Sequence, residues 1–128
     1  MKPVVFLVVF ALLGAGCAMK NSDLKVGGLY SVTDGDDGFR VIKILALDEK
    51  AVHVRLYKNR FPSRPQSVNQ SELSLGRVDD AGGFGMGHIP MSRENFTNGQ
   101  PIFIQQSTVT EEELEGYQLW KEAGGGVW

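Results

Sequence analysis

The chain has 128 residues, with 13 Lys and Arg against 15 Asp and Glu, 42% hydrophobic residues and one cysteine. That length supports one domain with a single core, and the slight acidity excludes the strongly basic footprint of a general nucleic-acid binder. A lone cysteine excludes an internal disulfide, so the fold must stand on packing alone.

The first elements are those of an export leader. Lys2 precedes an unbroken apolar run from Val4 to Leu13, followed by Gly14, Ala15, Gly16 and Cys17. Charge, apolar core and small residues in that order are the layout of a secretory signal peptide. Two other readings compete. A membrane-spanning helix needs ~18–20 apolar residues, and the Gly-rich end is a poor helix at about 1 kcal/mol per Gly. A plain signal peptide would leave Cys17 as a thiol without a partner. With a cysteine directly after the small residues, the segment resembles the lipobox of bacterial lipoprotein precursors. Gly14 stands where that pattern usually has Leu or another aliphatic residue, and Leu13 lies one place earlier. The resemblance implies acylation (palmitate among the chains) of Cys17 and cleavage just before it. Ala18, rather than Asp, follows the cysteine. By the same resemblance this implies the outer membrane, with the domain on its periplasmic face.

Residues 1–16 are therefore expected to be the signal peptide, 17–25 a lipidated cysteine and short tether, and 26–128 one β-rich domain. Of 128 residues, loss of 16 leaves 112, with 12 basic and 15 acidic side chains, a formal charge of −3. Such a surface would not hold a membrane by charge, so the lipid on Cys17 must anchor it; stable anchoring takes more than one acyl chain.

In the mature chain, Leu29 to Thr33 reads as a short strand and Asp34 to Gly38 as a hairpin turn. Phe39 to Leu47 is rich in β-branched and apolar residues and reads as the next strand. After the turn Asp48-Glu49-Lys50, Ala51 to Tyr57 alternates. Val52, Val54 and Leu56 fall on one face, and His53, Arg55 and Tyr57 on the other. Asn59 to Gln70 reads as a loop, Leu73 to Val78 as a fourth strand, and the Gly-rich Asp79 to Gly87 as a flexible loop. Ser92 caps a helical turn through Phe96, and Pro101 to Gln105 is a last strand with proline at its start.

A C-terminal helix over 111–123 is well signposted. Thr110 and Glu113 make a capping box, and Val109 with Leu114 a hydrophobic staple. Leu114, Tyr117 and Trp120 lie about one turn apart, so that face should dock on the sheet. The fold class is mainly β (α+β): a small SH3-like, open-barrel meander with one C-terminal helix docked on it. The runs VGGLYSVTDGDDGFRVIKILALD and TEEELEGYQLWKEAGGG are also similar to those of a group of small uncharacterised bacterial proteins, a likeness that implies no activity.

No catalytic pattern stands out. Asp34, Asp36 and Asp37 fail the calcium-loop spacing, because Gly38 and Leu45 stand at the ligand positions. Gly82, Gly83, Gly85 and Gly87 are followed by His88-Ile89-Pro90 rather than a helix with Lys and Ser or Thr, so a phosphate loop fails too. Phe84 and Met86 are unusual in such a loop; apolar residues there either tuck onto the domain, which is the expectation, or face a partner. His53 and His88 show no metal-ligand spacing. No metal and no cofactor is expected, and His53 reads as a surface residue.

The concentrated basic and aromatic stretch is His53, Arg55, Tyr57, Arg60, Phe61 and Arg64, a candidate partner face because Tyr and Arg are favoured interface anchors. An ordinary charged strand face that blocks edge pairing is the reading that comes first. The expected function is a membrane-anchored, non-enzymatic binding or structural module of the bacterial envelope, of immunity or assembly-accessory type. Its partners would be the membrane through Cys17 and a protein, not nucleic acid. The different-class alternative is a cell-wall hydrolase or other envelope enzyme, which would bring titratable groups together near His53 or His88.

Overall fold

Three runs of β-branched and aromatic residues separated by tight turns build the centre of the domain. In a computed structural model, residues 23–35, 38–81 and 83–126 are described. Strand β1 is Gly28–Thr33, β2 Phe39–Leu47 and β3 Val52–Phe61. Strand β4 is Met86–Met91, helix α1 Arg93–Asn98, β5 Ile102–Gln106 and helix α2 Glu115–Glu122. The strands form a five-stranded sheet in the order β4-β3-β2-β1-β5, and every pairing is antiparallel. The domain is thus mainly β with a C-terminal helix. The sheet is not closed into a barrel, and β4 and β5 are its two edges.

The meander expected from the first three runs is present. β3 runs on to Phe61 rather than ending at Tyr57. The fourth strand differs: Leu73 to Val78 is not a strand, and Met86–Met91 takes the place beside β3. The segment at 73–75 forms no ladder; its bonds are isolated, among them Lys58 N–H to the Ser74 carbonyl (2.8 Å), Ser74 N–H to Asn59 Oδ1 (3.0 Å) and Gly85 N–H to the Leu75 carbonyl (2.7 Å). Its leucines are used as a cover over the sheet instead. Pro90 is tolerated in β4 because that strand lies at an edge.

The capping box forms as the residue pattern requires. Thr110 N–H donates to Glu113 Oε1 (2.9 Å), and Glu113 N–H donates to Thr110 Oγ1 (3.2 Å). The regular helix nevertheless starts at Glu115. The preceding turn is tighter, with Leu114 N–H bonded to the Glu111 carbonyl and Glu115 N–H to the Glu112 carbonyl. Glu113 in that turn is also held by Lys43 of the sheet, at 2.9 Å.

Both faces of the sheet are covered. On the first, Tyr30, Ile42, Ile44, Val52, Val54 and Ile89 pack under Leu24 and Phe96 of α1. Ser92 caps α1, accepting from Asn95 N–H. On the second face, Leu29, Val41 and Tyr57 pack under Phe61, Val68, Leu73, Leu75 and Ile104. Among the described residues no helix is long and apolar enough to cross a membrane.

Candidate functional site

Asp48 illustrates how one turn residue organises a site. Its Oδ1 accepts from the N–H groups of Lys50 and Ala51 (2.8 and 2.7 Å), which closes the β2–β3 turn. Its Oδ2 is left to meet His53 Nε2 at 2.8 Å. His53 Nδ1 lies 2.9 Å from His88 Nε2 on the neighbouring strand β4. With both rings neutral, one proton order satisfies the line. His53 donates through Nε2–H to Asp48, and His88 donates through Nε2–H to His53 Nδ1.

Helix α2 roofs this line. The His53 ring sits 4.5 Å from the Tyr117 ring and 4.4 Å from the Trp120 ring, centroid to centroid. Gly116 lets the helix approach, since a Cβ there would stand 2.7 Å from His88 Cβ. His53 is consequently buried, not a surface residue. Period-2 alternation placed it away from the apolar face correctly. It could not show that the opposite face is covered as well.

Electrostatics follow the burial. Burial pushes the His88 imidazole down to about 4, reinforced by its neighbour His53, so this ring is neutral near pH 7. Burial would raise Asp48, but hydrogen bonds from His53 and from the Ala51 and Lys50 N–H groups outweigh it and hold the carboxyl below its ordinary value.

A second polar group lies further along the same face. Lys43 and Arg55 are opposite each other on β2 and β3. Glu113 serves both cations, at 2.9 Å from Lys43 Nζ and 3.9 Å from Arg55 Nε. Burial would raise Glu113, but the Thr110 N–H, Lys43 and Arg55 together hold it low. Tyr57, beside them, is raised, first by burial and then by the Glu113 charge.

The six residues of the candidate partner face therefore do not share one open surface. His53 and Tyr57 are buried, and Arg55 and Phe61 are half-buried. Arg64 turns inward to the Ser31 carbonyl (3.1 Å) and Oγ (2.9 Å), with its guanidinium 4.7 Å over the Phe39 ring. Arg60 is the exposed member and pairs with Asp34. Cys17, Asp36, Asp37 and Gly82 lie outside the described residues.

Next to Arg60 stands a surface the sequence did not single out as open. Phe84 is 43% and Met86 37% exposed, so neither tucks away as expected. The segment is nonetheless fixed. Arg40 donates to both the Tyr57 and Phe84 carbonyls (2.8 and 3.0 Å). Gly85 presses against β3 so closely that a Cβ would come 2.0 Å from the Leu56 carbonyl oxygen. The unusual Phe and Met among glycines were the signal available in the residues.

Two recesses lie among the described residues. An apolar one of about 140 Å³ lies between Val32, Ile42, Leu56, Met91 and Phe96. A shallower one of about 210 Å³ is bordered by Lys50, Trp120 and Lys121. Among the described residues no group of three or more His, Cys, Asp or Glu side chains is placed to hold a metal ion. Compared with known proteins, the chain matches no family model, no curated relative and no solved structure.

Proposed function

We propose that this protein is a lipid-anchored, non-enzymatic binding module of the bacterial outer membrane, held on the periplasmic face through Cys17. It recognises a protein partner through Phe84, Met86 and Arg60, as an immunity-type inhibitor or an assembly accessory would. The anchor rests on the leader pattern alone. The recognition reading rests on one observation: two large apolar side chains are held exposed on a segment that Arg40 and Gly85 fix in place. A fixed apolar pair beside an arginine has little ordering entropy left to lose on association. The bulged, strongly paired β1-β2-β3 meander supports a finer likeness to an SH3-like sheet left open at both edges.

The test is capture of partners from solubilised envelopes by wild type and by a Phe84→Ser, Met86→Ser double variant. Loss of a reproducible partner by a variant that melts like wild type supports the reading. Unchanged recovery removes it.

A hydrolase is the second reading, and the Asp48–His53–His88 line is what favours it, since such lines pass protons in general acid–base chemistry. Against it stand the Tyr117 and Trp120 rings packed on the imidazoles, where substrate or water would be needed. Cell-wall hydrolysis that persists in purified protein and disappears in His88→Gln would overturn the binding reading.

A further inference from the structure

The apolar surface of the described domain is unevenly distributed, and one part of it lies where the tether enters. Strand β5 pairs with β1 on one side and forms an edge of the sheet on the other. Ile102 is 53% and Phe103 42% exposed. Their side chains fall on opposite faces of the strand. Phe103 meets Tyr30 of the first face at 5.5 Å, and Ile102 is opposite Ser31, which belongs to the second. Val26 is also largely exposed. Its carbonyl accepts from the Gln106 side chain at 2.7 Å, which ties it to the end of the same strand. Lys25 Nζ stands 5.7 Å over the Phe103 ring.

An open, apolar edge strand is a hazard that folded proteins ordinarily blunt with charge or cover. Here Lys25 stands over Phe103 and Val68 bonds the Gln105 side chain (3.1 Å), yet Ile102 and Phe103 stay exposed, and the geometry points to a lipid bilayer as their cover. This inference rests on the lipid-anchor reading of Cys17. Between Cys17 and Asp23 lie only a few residues, whose extended reach is about 20 Å at ~3.3–3.6 Å each. The chain enters the domain at Asp23, two residues from Lys25 and three from Val26. A lipid on Cys17 therefore keeps the domain within about 20 Å of the membrane surface, and Lys25 and Val26, where the chain enters, place the β5 edge on the tether's side of the domain. An aromatic ring, two aliphatic side chains and one lysine are the composition that settles in the interfacial layer of a bilayer. The opposite edge, β4 with Met86, lies four strand spacings away, about 19 Å at ~4.8 Å each. A bilayer against β5 thus leaves Phe84 and Met86 facing away from it.

The experiment uses the full, processed lipoprotein in vesicles of phosphatidylethanolamine and phosphatidylglycerol. A bimane label is placed at Ile102→Cys or, as control, at Leu119→Cys, which is 61% exposed on α2. Nitroxide lipids carrying the quencher near the headgroup should quench the label at 102 several-fold more than at 119. Phe103→Ser combined with Lys25→Gln should abolish that difference while flotation with vesicles stays as in wild type and the melting transition, lowered by loss of the Phe103–Tyr30 contact, remains cooperative. If the protein floats but both labels are quenched alike, the edge does not touch lipid and the inference fails while the anchor stands. If shielding of the label at 102 depends on protein concentration instead of nitroxide lipid, a second copy covers the edge and the inference is overturned. If the processed protein does not float, the anchor reading fails and takes this inference with it.

Discussion

Glu113 reaches from the turn ahead of α2 back to Lys43 in the middle of β2, with both carboxylate oxygens within 3.0 Å of the ammonium. Lys43 also donates to the Thr108 carbonyl at 2.6 Å. The pair fastens the C-terminal segment to the sheet, and with Arg55 alongside it places two cations against one carboxylate.

Removal of that carboxylate should be costly. Glu113→Gln leaves Lys43 and Arg55 beside each other without compensation, and breaking a buried pair costs about 3–5 kcal/mol. Because Glu113 keeps some solvent contact, the lower end, about 3 kcal/mol, is expected in urea unfolding. The double variant Lys43→Met, Glu113→Gln should lose less than Glu113→Gln alone, since it leaves one cation, Arg55, without the carboxylate instead of two. Equal losses in the single and double variants would show that packing, not charge, is what Glu113 supplies.

The His53–His88 pair predicts an acid-sensitive fold. His88 binds its proton near pH 6.5 when unfolded but only at about 4 when folded. Between those values the unfolded chain holds the extra proton, so stability rises with pH across the window and falls as pH drops through it. Asp48 and Glu113 are held low, so their contribution is present above the ordinary carboxylate range and is lost only in stronger acid. The melting temperature should therefore decline from pH 6.5 toward 4 in wild type. His88→Gln should flatten that part of the profile and leave the steeper acid limb. A profile identical to wild type would mean that His88 is not the group responsible.

Trp120 tests the roof over the site. Its indole is half-buried, packs on His53, and donates from Nε1 to the Gly126 carbonyl at 2.7 Å. Full burial of such a ring would make Trp120→Ala cost about 3–5 kcal/mol. Partial burial reduces the expectation to about 2 kcal/mol in thermal or urea unfolding. The same variant should remove the ring packed on His53 and shift its imidazole resonances in NMR spectra. An unchanged stability would show that α2 does not close this end of the second face.

Cys17→Ser tests the anchor. The expected outcome is an unprocessed or soluble protein in place of one that fractionates with membranes. Membrane association that survives cleavage of the leader in this variant would rule out the lipid.

The same elements show what could be read without coordinates. Local patterns spoke directly wherever the physics is local. The β-branched run Phe39–Leu47 is the strand it was expected to be. Ser92 caps α1, and Thr110 with Glu113 forms its box. Each of these depends on residues within a turn or two of one another. The expected leader rests on a contiguous pattern of the same local kind, but residues 1–22 lie outside the described ones.

Tertiary structure decided what long-range packing controls. Leu73 to Val78 has strand-like residues, yet β4 took the edge of β3 and left those leucines to cover the second face. His53 was placed on the correct side of its strand and assigned the wrong environment, because alternation distinguishes two faces without saying whether the second is wet. The docking of Leu114, Tyr117 and Trp120 on the sheet held the missing half of that information, since a helix that docks must cover something. Asp48, His53 and His88 come from a turn and two strands, and only sheet register sets them in line. The sequence by itself determined the three strands of the meander and the two caps, each encoded within a short window. Which polar residues are buried, paired and brought together was settled by the tertiary fold, because burial depends on what the rest of the chain lays across each face.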